Sequence, residues 1–298
     1  MVVATAALEN LGVAPDAFEW VIEQRSAVWA SHLLLPHRCY DHFDPRPWAK
    51  WVGSRALCIN LEQRYGLSAA FARAAVGRGG KVWGFATNRG ATSYDHAVAY
   101  DPFEQHELVA FQKLFSDALS LPPRPVQMRA RHVPAGVHAV VAVAGTGHVS
   151  RRWNASDWAH MVRRYAGDGR QVIVAAPADA ALAQAVATEI GTDCEVLTGT
   201  WADVCRTVMT ARRVFTVDGG MVHVASYYGV PVDAVFSAGR HRKWLPWSEG
   251  SRIIKRMDID CQPCTVYGTV PPCAWRYRCK EMTQWRTIDG EAEFLARD

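Results

Sequence analysis

Between residues 139 and 237 the sequence switches repeatedly between short β-branched runs and helical stretches, and this alternation restricts the fold more than any other feature. AVVAVAG (139–145), QVIVAAP (171–177), EVLTG (195–199), RVFTVDGG (213–220) and VPVDAVFS (230–237) read as strands. NASDWAHMVRRYAGDG (154–169), DAALAQAVATEIG (179–191), WADVCRTVMTAR (201–212) and MVHVASYYG (221–229) read as the helices between them. Asn154 or Ser156 is available to cap the first helix, with Gly167 near its stop. Strands and helices joined this closely build a parallel sheet covered on both faces. Ligands of such sheets bind beyond the C-terminal strand ends, where the strand order reverses. The chemistry is therefore expected in the loops after Val143, Ala175 and Val217.

The first half is α/β in a looser way. FEWVIE (18–23), ALCINLE (56–62) and KVWGFA (81–86) are short β-rich runs. LSAAFARAAVG (67–77) is Ala-rich at helical spacing and ends on glycine. In PFEQHELVAFQKLFSDAL (102–119), Leu108, Phe111, Leu114, Phe115 and Leu119 share one helix face. LPPRPVQMRARHVPAG (121–136) holds four prolines and little periodicity, which marks a connector. The expected domains are residues 1–130, residues 131–257, and a cysteine-bearing tail over 258–298.

Composition removes several function classes. At 49% apolar and 21% charged, a 298-residue chain suits a folded globular protein. No apolar run approaches the ~20 residues of a membrane-spanning helix, so no membrane insertion is expected. The opening MVVATAALENLGVAPD has no basic stretch and carries Glu9 and Asp16, unlike a secretory leader. Eight cysteines in such a chain read as reduced thiols or metal ligands, and the expected location is the cytoplasm. A net charge of +4 is too small to indicate a nucleic-acid partner. Ser237–Arg286, however, carries ten Lys or Arg against four Asp or Glu, and that excess suits a phosphate-bearing ligand, an acidic partner surface or simply a solvated face.

Three constellations carry chemistry. GTGHVSRRW (145–153) follows a strand and precedes a helix, so Thr146, Gly147 and Arg151 belong to a loop open to an anion. It is neither a P-loop nor GxGxxG, and taken alone it reads equally well as a plain strand-to-helix turn. VDGGMVH (217–223) sets Asp218, Gly219, Gly220 and His223 in one compact polar turn. Its plain alternative is a glycine turn with Asp218 as a cap and His223 as a core histidine. Cys261, Cys264, Cys273 and Cys279 form C-x2-C-x8-C-x5-C, a set of four thiolates for a tetrahedral ion, with zinc the default from spacing. Trp244 and Trp247 suit either stacking on a base or core packing.

The order GTG…RRWN, VIVAAPAD, VLTG, VDGGMVHVASYYGVPVDAVF resembles the C-terminal half of the ADP-heptose heptosyltransferases, glycosyltransferase family nine. The family's K-x-W falls on Arg151-Arg152-Trp153, its acidic residue on Asp179, and its D-[ST]-G-x-x-H on Asp218 to His223. Arginine thus replaces lysine, and Gly219 replaces a hydroxyl residue. The resemblance implies two Rossmann-like domains of GT-B type, an ADP-heptose donor on the second domain, and an acceptor facing the first. Thr146, Gly147, Arg151, Asp179, Asp218, Gly219, Gly220 and His223 are its implied donor-binding residues.

With NLEQRYGLSAAFA, KVWGFATNRGATSYDHAVAYDP and the four cysteines, the chain resembles the bacterial autotransporter heptosyltransferases. That subfamily carries an iron finger, here implying Fe3+ at Cys261, Cys264, Cys273 and Cys279, and transfers heptose to hydroxyl side chains of autotransporter adhesins. FEWVIEQ matches the family's second strand, so the opening strand and its catalytic aspartate loop are not expected in this chain. Asp16, Asp41 and Asp44 are substitute bases without a motif behind them, and a turn or cap is the plainer reading of each. Self-association is expected to cover the edge left open. Two functions follow: an inverting heptosyltransferase, or a catalytically impaired iron-binding accessory protein that docks onto an autotransporter.

Overall fold

The computed structural model describes residues 1–40, 51–130, 132, 136–143, 148–166, 169–191, 193–267, 269–281 and 285–289. Asp41, Asp44, Thr146 and Gly147 lie outside these residues. The chain divides into two compact units, Met1–Gln127 and Met128–Asp298, within the proline-rich connector.

The first unit opens with α1 (Val2–Asn10), in which Val3 to Leu8 are all buried. Four of its nine residues are small or β-branched alanine and valine at the contact, so it approaches α4 closely, and Asn10 Nδ2 donates to Gln112 Oε1 at 2.5 Å. β1 (Trp20–Glu23) is followed by α2 (Ala27–His32) and β2 (His37–Tyr40), and among the described residues β1 pairs, in parallel, only with β2. β3 (Arg55–Asn60), α3 (Gly66–Ala75), β4 (Val76–Phe85) and β5 (His96–Val98) make a second parallel sheet in the order β3-β4-β5. α4 (Glu107–Ala118) then buries Leu108, Phe111, Leu114 and Phe115, the face read from its periodicity. It starts at Glu107 and not at Pro102, where the helical reading began, because His106 caps it, its Nδ1 accepting from the Leu108 N–H. Glu19 bonds both Arg38 and Arg55, at the starts of β2 and β3, so a single carboxylate ties the two sheets.

The second unit follows the alternation closely. Its elements are β6 (Val137–Val143), α5 (Ala155–Tyr165), β7 (Gln171–Ala175), α6 (Ala180–Ile190), β8 (Cys194–Val196) and α7 (Trp201–Thr210). After them come β9 (Ala211–Val217), α8 (Gly220–Tyr227), β10 (Val232–Val235), α9 (His241–Trp244), β11 (Arg252–Arg256) and β12 (Trp285–Asp289). The sheet order is β12-β11-β10-β9-β6-β7-β8, parallel except for β12. β6, β9 and β10 are Val- and Ala-rich and buried on both faces, as central parallel strands are. Under α5, Trp153, Trp158, Met161 and Phe215 form the core, and Trp158 meets Phe215 edge-on at 6.1 Å. Asn154, rather than Ser156, caps α5 by accepting from the Asp157 N–H at 2.7 Å. Thr200 and Asp203 close a reciprocal capping box on α7. Among the described residues no helix is long and apolar enough to cross a membrane.

Candidate functional site

In the second unit the chain runs from β6 outward through β7 to β8, then crosses back to place β9 on the other side of β6. The strand order therefore reverses between β6 and β9, and the loops leaving these two strands splay apart there. Arg151 ends a 3-10 turn (Val149–Arg151) in the loop after β6, and Asp218 follows β9 directly. Their side chains meet across the reversal point, Arg151 Nη2 donating to Asp218 Oδ2 at 2.9 Å. Two residues 67 positions apart in sequence thus become one polar site. Asp218 is 6% exposed, and burial pushes its carboxyl above the ordinary aspartate range while the Arg151 guanidinium pulls it back.

Three further bonds hold this arrangement. The Asp218 N–H donates to the Val235 carbonyl, continuing the β9–β10 ladder past its end. Ser237 Oγ donates to the Ser150 carbonyl at 2.7 Å and ties the loop after β10 to the Arg151 turn. His148 Nδ1 accepts from the Ser150 N–H and starts that turn. Gly239 closes the site from the side: a Cβ there would stand 2.0 Å from Asp218 Oδ2. Sequence reading passed over Gly239 and Ser237 because SAGR matches no motif, although its place after a strand beside the reversal point was the available signal.

Gly219 and Gly220 behave differently. Gly219 is extended (φ −179°, ψ −174°), a conformation open to any residue, and its Cβ would meet only Val217 O at 3.7 Å. A Cβ on Gly220 would meet nothing within 4 Å. Among the described residues neither backbone conformation nor packing demands glycine at these two positions, and a helix start without side chains is one that an anion can approach closely. Gly220→Ala is expected to leave the unfolding midpoint at or slightly above wild type, since alanine favours the helix by up to ~1 kcal/mol. It should nevertheless weaken inorganic diphosphate binding in calorimetry. A drop in both would make Gly220 a structural residue.

The remaining residues fall into place unevenly. Asp179 ends a 3-10 turn (Pro177–Asp179) at the C-terminal end of β7, next to β6, and is 6% exposed. His223, on α8, stacks on Trp247 at 5.6 Å and lies against Trp244 at 5.5 Å. Trp247 is 1% exposed, so it is a core residue and no stacking platform. Asp16 stands exposed in the 3-10 turn Pro15–Ala17 of the first unit. Part of the basic excess is internally neutralised: Arg252 binds buried Asp233, and Arg256 binds Asp258 and Glu281.

All eight cysteines are thiols. Cys279 is buried, Cys264 and Cys273 half-buried and Cys261 exposed. Burial and then the neighbouring Cys264, Cys273 and Cys261 push the Cys279 thiol up to about 11. Cys264 is raised in the same way, by burial and by Cys261 and Cys273. The Tyr277 N–H donates to Cys273 Sγ at 3.3 Å. Among the described residues no group of three or more His, Cys, Asp or Glu stands in metal-holding geometry. The chemistry of the donor set nonetheless fits a thiophilic ion: four cysteines stand between positions 261 and 279, and sulfur is the ligand such a cation prefers.

A mostly parallel sheet with a cation and a glycine-fronted helix at its reversal point, in a chain whose first unit also carries parallel α/β sheets, matches the GT-B-like heptosyltransferase folds. The chain belongs to glycosyltransferase family 9, the heptosyltransferases, whose profile matches residues 58–274. A family 9 glycosyltransferase from Veillonella parvula DSM 2008 is 16% identical, with 87% of this chain and 84% of that one superposed at a TM-score of 0.67. The E. coli ADP-heptose LPS heptosyltransferase II is 12% identical over 87% of this chain and 88% of that chain, with a TM-score of 0.66. The E. coli heptosyltransferase WaaC, solved with ADP, is 19% identical over 85% and 88%, with a TM-score of 0.62. At these identities the likeness is one of fold. No curated protein sequence matches the chain.

Proposed function

We propose that this chain transfers heptose from ADP-heptose to hydroxyl side chains of an autotransporter protein, with inversion at the anomeric carbon. The observation that carries the reading is the Arg151–Asp218 pair at the reversal point, beside the unobstructed start of α8. When the glycosidic bond to ADP breaks, negative charge grows on the leaving diphosphate. A guanidinium held by a buried carboxylate and the free N–H groups of a helix start are suited to that charge. In this reading Asp179 takes the ribose hydroxyls, Thr146 and Gly147 line the donor loop by their match to the family motif, and His223 braces α8 against Trp244 and Trp247.

An iron(III) ion, with zinc as the alternative, belongs to the same proposal. Cys261, Cys264, Cys273 and Cys279 would hold it, and it would cross-link the C-terminal segment without touching the donor. Elemental analysis should find iron or zinc near one equivalent per chain, and near-absence of both would end the metal assignment. Thiol cysteines suit the reducing cytoplasm, which is the proposed place of action. Self-association is proposed because β1 and β3 each pair on one side only among the described residues, leaving parallel edges that proteins normally cover.

Intact mass spectrometry of a co-expressed autotransporter fragment tests the reading: a mass increase of one or more heptose residues is expected. Asp16 sits exposed in a 3-10 turn, a position typical of a plain turn residue, and this favours a second reading as a catalytically impaired docking protein. Binding of ADP with no mass added to the fragment would select that second reading.

A further inference from the structure

The cysteine-bearing segment is bonded to two of the loops that form the Arg151–Asp218 site. On one side, Gln262 Nε2 donates to the Phe236 carbonyl at 2.7 Å. The Cys264 and Thr265 N–H groups both donate to the Ala238 carbonyl, at 3.1 and 3.2 Å, and Arg240 Nε donates to the Thr265 carbonyl. These bonds fix residues 236–240, where Gly239 lies against Asp218. On the other side, Lys280 Nζ donates to the Arg152 carbonyl at 3.2 Å, and the Tyr277 ring meets His148 edge-on at 5.4 Å and 73°. His148 is the residue that starts the Arg151 turn.

Tyr277 links the two ends of this arrangement. Its ring touches the donor loop, and its N–H donates to Cys273 Sγ. Arg276 and Tyr277 are both left-handed, with φ of 50° and 59°, which is costly for non-glycine residues and persists only where neighbours impose it. The neighbours that hold this turn are Cys273, whose Sγ accepts the Tyr277 N–H and whose carbonyl accepts the Arg276 N–H, the backbone bonds from the Arg278 N–H to the Trp275 carbonyl and from the Lys280 N–H to the Tyr277 carbonyl, and Arg256, which donates to the Arg278 carbonyl at 2.9 Å.

We propose that Tyr277 is a positioning residue for the diphosphate site: the four-cysteine segment holds it in its left-handed conformation, and its ring holds the His148–Arg151 turn in place. The state of the thiols thereby sets the affinity for a nucleoside diphosphate. The proposal rests on the donor-site reading above, but its mechanical half can be tested without any ligand.

Two measurements on the full-length chain separate the parts. Hydrogen exchange in wild type, Tyr277→Ala and Tyr277→Phe reports whether residues 148–153 are held by the ring. Exchange there should accelerate in Tyr277→Ala and return to wild type in Tyr277→Phe, which keeps the edge contact. Calorimetry with ADP should show affinity about tenfold weaker in Tyr277→Ala and restored in Tyr277→Phe, with unchanged unfolding midpoints. Cys273→Ala, which removes the acceptor of the Tyr277 N–H, should shift exchange and ADP affinity as Tyr277→Ala does. If that variant fails to fold, Tyr277→Ala, which deletes no thiol, still decides the matter. Unchanged exchange at 148–153 in Tyr277→Ala overturns the positioning role even if ADP binds. Accelerated exchange with no ADP binding by the wild type upholds the positioning role and overturns the donor-site reading instead.

Discussion

Arg151→Ala is expected to cost both stability and ligand affinity, and its stability deficit should grow with pH. Asp218 is buried and Arg151 supplies its charge-assisted partner, so truncating the guanidinium leaves a carboxylate without a cation. Breaking a fully buried pair costs ~3–5 kcal/mol; Arg151 keeps 27% of its side chain exposed, which places the expectation just below that range, at about 2–3 kcal/mol. The sign with pH follows from burial, which raises the Asp218 pKa in the fold, and from Arg151, which opposes that rise. A raised acid is at no disadvantage below its unfolded pKa, and the fold loses stability as pH climbs through the folded value. Removing Arg151 lifts that folded value further, so the variant should match wild type most closely in acid and fall behind toward neutrality. Denaturant melts across a pH series measure this, and a deficit independent of pH would show that Asp218 does not rely on Arg151. Loss of the cation should also weaken ADP by ~1.5–3 kcal/mol, the range of a charge-assisted hydrogen bond. Equal ADP affinities in wild type and variant would remove Arg151 from the donor site.

Gly239→Ala should be nearly as damaging, for a steric reason. Its Cβ would stand 2.0 Å from Asp218 Oδ2 and 2.9 Å from Asp218 Cγ, with Phe236 at 3.4 Å behind. The carboxylate must swing away, and doing so breaks its bond to Arg151. Overpacking of this kind typically costs ~1–3 kcal/mol, and the broken ion pair puts the expectation at about 3 kcal/mol. Diphosphate affinity should fall with stability, in contrast to Gly220→Ala, where stability is kept. A Gly239→Ala protein with wild-type melting and binding would mean that the loop 236–240 shifts freely. Such freedom would also count against its anchoring by the Ala238 carbonyl.

How much of the site was readable depends on where its parts lie in the chain. Asp218-Gly219-Gly220 and the Arg151 turn were visible because each sits in one strand-end loop with a chemically odd local composition. Gly239 was not, because nothing in SAGR distinguishes a glycine required by a distant carboxylate from a glycine that makes a turn. Likewise Tyr277 is one aromatic among many in the sequence, and only its place against His148 and Cys273 Sγ singles it out. For Trp247 the sequence leaves base stacking and core packing both open, and the structure settles it as a core residue against His223.

The alternation of the second half determined a parallel, doubly covered sheet, because connections of a few residues between strand and helix permit no other arrangement. It likewise marked the strand ends as the functional edge. The first half carried less: β2 and β5 are too short and too polar to stand out, and the pairing of β1 with β2 apart from β3, β4 and β5 is a non-local choice. Only the tertiary structure decided the strand order, and with it which two loops face each other. Side-chain pattern reports burial and period, but the crossing from β8 back to β9 is set by packing across the whole sheet. That crossing is what brings Arg151 to Asp218.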